Sequence, residues 1–285
     1  MPSNVQLTIL NLLFRLYRRY ARLVDKNYSK NAFKKNVTYW LSKIIKHPRK
    51  KINGFDFEYS LNTSLGYQLF FENSFEKTQL EYCKRFIDES SYVLDIGANI
   101  GIYSFHYAQI AKDGLVIAIE PGVHAFRLLV KNSNAFKNII PLNLAVSDKT
   151  EVVNFFEAKD AAYSGLKDTG RNQIIGVRKV PCYCTDALLR PLRLQRIDFI
   201  KIDVEGYEEE VVSGLVEVIS VFKPTILCEI CQRNSSNDPD KTIQKILSLG
   251  YQAFIFKDNE VVPFEKHHDQ YQDYLFIPFK KIDER

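Results

Sequence analysis

Residues 92–105 read YVLDIGANIGIYSF. An apolar run breaks into a glycine loop at Gly97, and a helix-like pattern resumes at Ile102. A strand that turns through glycine into a helix opens the kind of parallel sheet that binds a nucleotide-like ligand beyond its strand ends. The spacing Asp95-Ile-Gly97-Ala-Asn99-Ile-Gly101 separates the ligands. A phosphate loop needs G-x-x-x-x-G-K-[ST]; here the second glycine comes one residue early and is followed by Ile102 and Tyr103. A dinucleotide fingerprint needs a bare middle position so that the backbone can approach a pyrophosphate. Asn99 stands there and crowds a diphosphate, but not a ligand without phosphate.

Outward from the loop, strand and helix alternate. "LVIAIE" (115–120), "NIIPLNLAV" (138–146), "IDFIKIDV" (197–204), "PTILCEI" (224–230) and "DYLFIPF" (273–279) read as strands, and the text between them largely as amphipathic helices. That pattern predicts an α/β fold with an open, mainly parallel sheet covered on both faces. "YQAFIFKDNEVVPF" (251–264) reads as a hairpin with no helix before the last strand, so one terminal strand is expected to run antiparallel. "EVVNFF" and "VRKVPCYC" form an insertion around a glycine-containing loop that carries Tyr163 and Ser164, where acceptor selection is expected. "FDFEYSL" and "YQLFF" alternate like a β-hairpin.

Three acids fall at successive strand ends: Asp95, Glu120 and Asp203. They suit S-adenosylmethionine, a cationic sulfonium with an amino-acid end. Gly97 makes the exit from the strand, and the helix opening near Gly101 offers N–H groups to a carboxylate. Asp95 takes the amine or orients the loop. Glu120 accepts the ribose hydroxyls in charge-assisted hydrogen bonds, and Asp203 adds negative charge near the methionine portion.

The stretches "VLDIGANIGIYSF", "AIEP", "NLAVSD" and "IDFIKIDVEGYEEEVVSG" resemble the FkbM family of methyltransferases, over about residues 90–255. The pairing of "DIGANIG" with "KIDVEGYE" is specific where either alone is not. The resemblance implies a class I, Rossmann-like methyltransferase fold, S-adenosylmethionine as donor, and O-methylation of a hydroxyl on a sugar, polyketide or related metabolite. By motif match, Asp95, Gly97, Asn99, Gly101 and Glu120 become cofactor contacts, with Asp203 at the methionine end.

Methyl transfer to a hydroxyl needs alignment and a base. Glu205 is the first candidate for base or acceptor hydrogen bonding and Asp203 the second; Lys201, Asp203 and Glu205 alternate toward the strand tip. The structural alternative is that Glu205 only holds its loop through Gly206, with Lys201 an internal ion-pair partner. Glu229, at the next strand end, has the same catalytic or orienting choice. His106 and His124 read as packing or surface residues.

The charge is uneven. Residues 1–51 hold thirteen Lys and Arg against one acid, Asp25, which is +12; the remainder is −7. An acidic body disfavours nucleic acid as substrate, and the place of a prolyl-aromatic base-methylation motif reads "DVEG". The chain therefore divides into a basic helical extension, 1–53, and a methyltransferase domain, 54–285. Along residues 5–23, Val5, Ile9, Leu12, Leu16, Tyr20 and Leu23 share one helical face, and Arg15, Arg18, Arg19 and Arg22 the other. That face docks on the body, or on a membrane surface or partner. A non-catalytic module recruited by this helix is the rival to an enzyme. No bilayer-spanning stretch or secretory pattern stands out, so the cytoplasm is expected. The five cysteines fit a reducing compartment. Cys182, Cys184, Cys228 and Cys231 lie in apolar text and read as buried thiols in preference to a zinc site; no metal is expected. Vesicle flotation with and without residues 1–30 separates the two roles of the arm. Flotation lost with the deletion marks a membrane arm, and no flotation of either form marks docking on the body or on a partner protein.

Overall fold

The computed structural model describes residues 42–43, 48–52, 54–71, 75–230, 238–268 and 270–279. The amphipathic segment 5–23 and Cys231 lie outside them. The chain forms two compact units, Met1–Lys46 and His47–Arg285, and the second carries everything below.

That unit begins before residue 54. Strand β1 (Arg49–Ile52) pairs antiparallel with β2 (Phe55–Glu58), so Arg49, Lys50 and Lys51 belong to the body and not to a free arm. The "YQLFF" stretch is not the second strand of a hairpin: it lies in helix α1 (Ser64–Phe71). The reason is a cap. The Thr63 hydroxyl accepts the Gly66 N–H at 2.9 Å, the hydrogen bond that starts a helix, and it overrides a short apolar alternation. Lys50 donates to the carbonyls of Leu69 and Phe70 at the far end of α1.

After α2 (Lys77–Cys83) the chain enters the main sheet with β3 (Tyr92–Ile96), α3 (Ile102–Ile110), β4 (Leu115–Ile119), α4 (Val123–Ser133) and β5 (Ile139–Leu142). It leaves it for β6 (Ala145–Ser147), β7 (Glu151–Ala158) and β8 (Ile174–Cys184), then returns through α5 (Thr185–Leu189) to β9 (Phe199–Ile202). There follow α6 (Glu208–Ser213), α7 (Val216–Phe222), β10 (Thr225–Glu229), α8 (Pro239–Ser248), β11 (Tyr251–Lys257), β12 (Glu260–Pro263) and β13 (Asp273–Pro278).

The eight-stranded sheet has the order β12-β11-β13-β10-β9-β3-β4-β5. Strands β5, β4, β3, β9 and β10 are mutually parallel. The expected antiparallel terminal strand is β13; it sits inside the sheet, between β10 and β11, and β12 adds a second reversed strand at the edge. Strand order reverses beside β3: β4 and β5 run to one side, β9 and β10 to the other. Ligands of open α/β sheets bind at such a switch point.

Two single readings of the sequence split. "NIIPLNLAV" becomes β5 in the main sheet and β6 in a separate three-stranded sheet, β6-β8-β7. "YEEEVVSGLVEVI" becomes α6 and α7, because the Asp186 carboxylate accepts the N–H groups of Glu217 and Val218 and starts a fresh helix.

The core is apolar on both faces of the central strands, as parallel sheets require. Phe199, Ile200 and Ile202 are fully buried in β9, and Phe105 stacks on Phe136 at 5.5 Å under α3. Truncating Ile200 to Ala leaves a cavity at the centre of the sheet. We expect urea denaturation to show a loss of about 2–5 kcal/mol; a loss well under 1 kcal/mol would contradict the central placement of β9.

Candidate active site

The tips of β3 and β9 meet backbone to backbone. Gly97 leaves β3 with φ 79°, and a Cβ on it would lie 1.7 Å from the Asp203 carbonyl oxygen. The Asp203 N–H in turn donates to the Ile96 carbonyl at 3.0 Å. This close approach sets Asp203 beside the glycine loop.

The loop spends its N–H groups internally. Those of Gly97 and Ala98 both donate to the Ile119 carbonyl, and that of Gly101, which opens α3, to Ala98. Asn99, in a left-handed conformation at φ 50°, donates its N–H to Glu120 Oε2 at 2.9 Å. The N–H groups of Gly97, Ala98, Asn99 and Gly101 are thus committed within the protein, and the Asn99 bond places Glu120.

Glu120 is the first residue beyond β4 and is buried. Its other oxygen accepts the Gly122 N–H at 2.6 Å. Burial pushes its carboxyl up to about 7, with the two backbone N–H bonds working the other way. Asp95 lies one position inside β3 and is fully buried. One of its oxygens accepts the Ser104 hydroxyl at 2.5 Å, tying strand to helix, and Oδ1 is buried with no protein partner. Burial raises this carboxyl as well, against the Lys201 charge that lowers it.

Strand β9 ends at Ile202, so Asp203 and Glu205 do not continue its alternation. Glu205 reaches the site through a left-handed turn, φ 53°. Lys201 is the internal ion-pair partner expected of it: buried, 3.1 Å from Asp203 Oδ2, and 4.7 Å over the Tyr103 ring. Burial pulls its ammonium down, yet Asp203, Asp95 and Glu76 outweigh that and hold it above the ordinary lysine range. Glu76, with Tyr103 donating to it at 2.5 Å, completes this group; burial, then Asp273, raises its carboxyl. Nothing in the local sequence around Glu76 marks it, because it is tertiary packing that brings it under Tyr103.

Carboxylate oxygens of Asp203, Glu205 and Glu229 come within 4.8 Å of one another, a spacing at which one cation can be shared. Arg171, from the insertion, pairs with Glu205 at 3.2 Å and lies 4.6 Å over the Tyr163 ring. No local sequence signal marks this arginine, which sits 34 residues away. Gly97, Glu120, Asp203, Val146, Phe155 and Ser164 line a hollow of about 50 Å³. Its roof is the insertion, where Phe156 and Gly165 exchange backbone hydrogen bonds of 2.8 and 3.2 Å.

Of the other candidates, His106 is packed, both ring nitrogens buried without partners, and burial lowers its basicity. His124 is exposed. Cys83, Cys182, Cys184 and Cys228 are free thiols, and none belongs to a ligand cluster among the described residues. Among those residues, too, no helix is long and apolar enough to cross a membrane.

The chain is similar to several known proteins. A family model described as the methyltransferase FkbM domain matches residues 95–253. The hexuronic acid methyltransferase AglP of Haloferax volcanii is 27% identical over 162 residues, 56% of this chain and 63% of that protein. The AMB antimetabolite synthetase AmbE of Pseudomonas aeruginosa is 25% identical over 201 residues, 54% of this chain and 10% of its own length. Among solved structures, the FkbM methyltransferase of Methylobacillus flagellatus is similar with a TM-score of 0.45 and 20% identity, covering 67% of this chain and 44% of that one. The chain thus spans less than two thirds of each of these relatives.

Replacing Gly97 with Ala combines backbone strain with the clash on Asp203, whereas Gly170, at φ 68°, has nothing within 4 Å of an added Cβ. We expect Gly170→Ala to cost about 1–2 kcal/mol from left-handed strain alone, and Gly97→Ala clearly more by urea denaturation. Equal losses would contradict the close approach of the two strand tips.

Proposed function

Because the chain belongs to the FkbM methyltransferase family, whose domain model matches residues 95–253, we propose that it methylates a hydroxyl of a sugar, polyketide or related metabolite, with S-adenosylmethionine as donor. The observation that carries this reading is the convergence of Glu120 and Asp203 on one hollow with the glycine loop between them. The residues present suit the donor. The hollow's acids match a cation, the buried Asp95 Oδ1 lacks a partner, and among the described residues no lysine or arginine lines the hollow to receive a diphosphate.

S-adenosylmethionine supplies an electrophilic methyl on a sulfonium and a neutral thioether as leaving group. The protein's part is alignment, which can be worth about 7–11 kcal/mol, and removal of one proton. Glu120 holds the ribose hydroxyls. Asp203, fixed by Lys201, lies on the methionine side. Glu205 takes the acceptor's proton or orients its hydroxyl, with Asp203 second in line. Arg171 holds Glu205 until the acceptor enters. The hollow is smaller than the roughly 300–1,000 Å³ of most ligand sites, so binding must lift the Ser164–Leu166 roof.

Burial of the Glu120 carboxyl carries a desolvation cost that its two backbone N–H bonds offset only in part, which favours a ligand-binding role over a purely structural one. The sugar reading draws support from the archaeal relative, whose name places its acceptor among hexuronic acids. A cytoplasmic location and peripheral contact through residues 5–23 complete the proposal, on the +9 charge of residues 1–46, ten Lys and Arg against Asp25; nucleic acid is not among the proposed partners.

A protonated Glu120 keeps only part of its accepting capacity. Since burial pushes this carboxyl up to about 7, affinity for S-adenosylhomocysteine should rise as pH increases through about 7. Glu120→Gln should bind about tenfold or more weakly and lose that pH dependence in calorimetric titration. An unchanged affinity would remove Glu120 from the site. Glu205→Gln should lower kcat for labelled-methyl transfer into cell extract while cofactor affinity holds; unchanged turnover would leave Glu205 a loop residue.

A further inference from the structure

A second cavity, of about 670 Å³, lies on the other side of the glycine loop. Its size is that of a ligand site for a mono- or disaccharide-sized molecule. Three parts of the body enclose it. The turn from β2 into α1 gives Ser60, Asn62 and Thr63, the start of α4 gives His124 and Arg127, and the insertion gives Lys159. The insertion is fastened across it: Asp160 accepts the Ser64 N–H at 2.7 Å with one oxygen and the Ala162 N–H with the other. Asn99 and Ile100 form the wall it shares with the cofactor loop.

The charges of this cleft do not cancel. Its one lining acid among the described residues, Glu58, is buried and already held by two cations, Lys131 at 2.6 Å and Arg49 at 3.2 Å. Those two cations outweigh its burial and keep the carboxyl below its ordinary range. Arg127 and Lys159 are exposed, and among the described residues neither side chain has an acid partner. They are a net positive pair on a body that is otherwise acidic, and they face a cavity whose other polar side chains, apart from the Glu58–Lys131 pair, are hydroxyls, amides and the His124 imidazole.

We infer that this cleft seats an anionic sugar, with Arg127 and Lys159 taking its carboxylate or phosphate and the Ser60–Thr63 turn its hydroxyls. The inference stands apart from the methyltransferase reading: among the described residues neither Asp203 nor Glu205 lines this cleft, so the sugar site is separate from the acceptor position beside Glu205. A guanidinium presents parallel donors to a carboxylate or phosphate, and a lysine a single mobile charge. Residues 52–285 carry a net charge of −7, so a locally positive cleft also draws in an anion by steering.

The test is saturation-transfer NMR on the full chain at low ionic strength, with glucuronate, glucose 1-phosphate and uncharged glucose as probes. One or both anions should bind about tenfold or more tightly than glucose, and whichever does identifies carboxylate or phosphate as the group read. In the double variant R127A/K159A this preference should vanish, while calorimetric affinity for S-adenosylhomocysteine stays that of the parent. Glucose binding as well as the anions, no sugar binding, or a preference that survives the double substitution would each overturn the inference. Loss of S-adenosylhomocysteine affinity in the variant would also overturn it, by assigning the two cations to the cofactor's own carboxylate, and would leave the methyltransferase reading intact. Failure of the parent chain to bind S-adenosylhomocysteine, with anionic sugars still bound, would strike the methyltransferase reading alone.

Discussion

The contact between the tips of β3 and β9 is the constraint on which the site depends. With the Asp203 carbonyl where a Gly97 side chain would begin, two neighbouring strands end at the same depth. The loop between Gly97 and Gly101 is then forced over toward β4. There it meets Glu120 through the Asn99 N–H. One steric condition, the absence of a Cβ, thereby fixes the relative places of an acid from β4 and an acid from β9. The same contact closes the sheet at its switch point, so the geometry that stabilises the fold is also the geometry that collects negative charge.

Collecting carboxylates in a dry place is expensive, and the protein offsets that cost in two ways. Beneath the site, a single buried lysine serves several acids: Lys201 bonds Asp203 and draws on Asp95 and Glu76. Buried charge is tolerable only when paired and hydrogen-bonded, and Tyr103 and Ser104 donate further hydrogen bonds to Glu76 and to Asp95 Oδ2. At the surface of the site, Glu120 is held by backbone N–H groups and no cation, and burial pushes it up to about 7. A group in that condition gains most when a ligand brings donors to it. The body's charge is thus graded, neutralised underneath and left ready at the mouth.

Much of this was legible in the sequence. The run from Tyr92 to Phe105 specified a strand, a loop and a helix, and the glycine spacing excluded two ligand classes, because both depend on local geometry. The acids at strand ends were legible for the same reason. What was missed depends on distant parts of the chain. Arg171 reaches Glu205 only because the β7–β8 insertion folds over the strand tips. Glu205 itself owes its direction to a left-handed turn and not to strand alternation. The "YQLFF" stretch misled because five alternating residues carry less information than one hydroxyl at a helix start, Thr63. The readiness of Glu120 was visible as a residue but not as a state, since burial is a property of the folded chain.

The most direct measurement is a competitive titration of the full chain with S-adenosylmethionine and NAD. A site built from acids at strand tips, with Asn99 in place of a bare middle glycine, should bind the sulfonium compound and ignore the dinucleotide. Binding of NAD with no measurable binding of S-adenosylmethionine would contradict the account at its root.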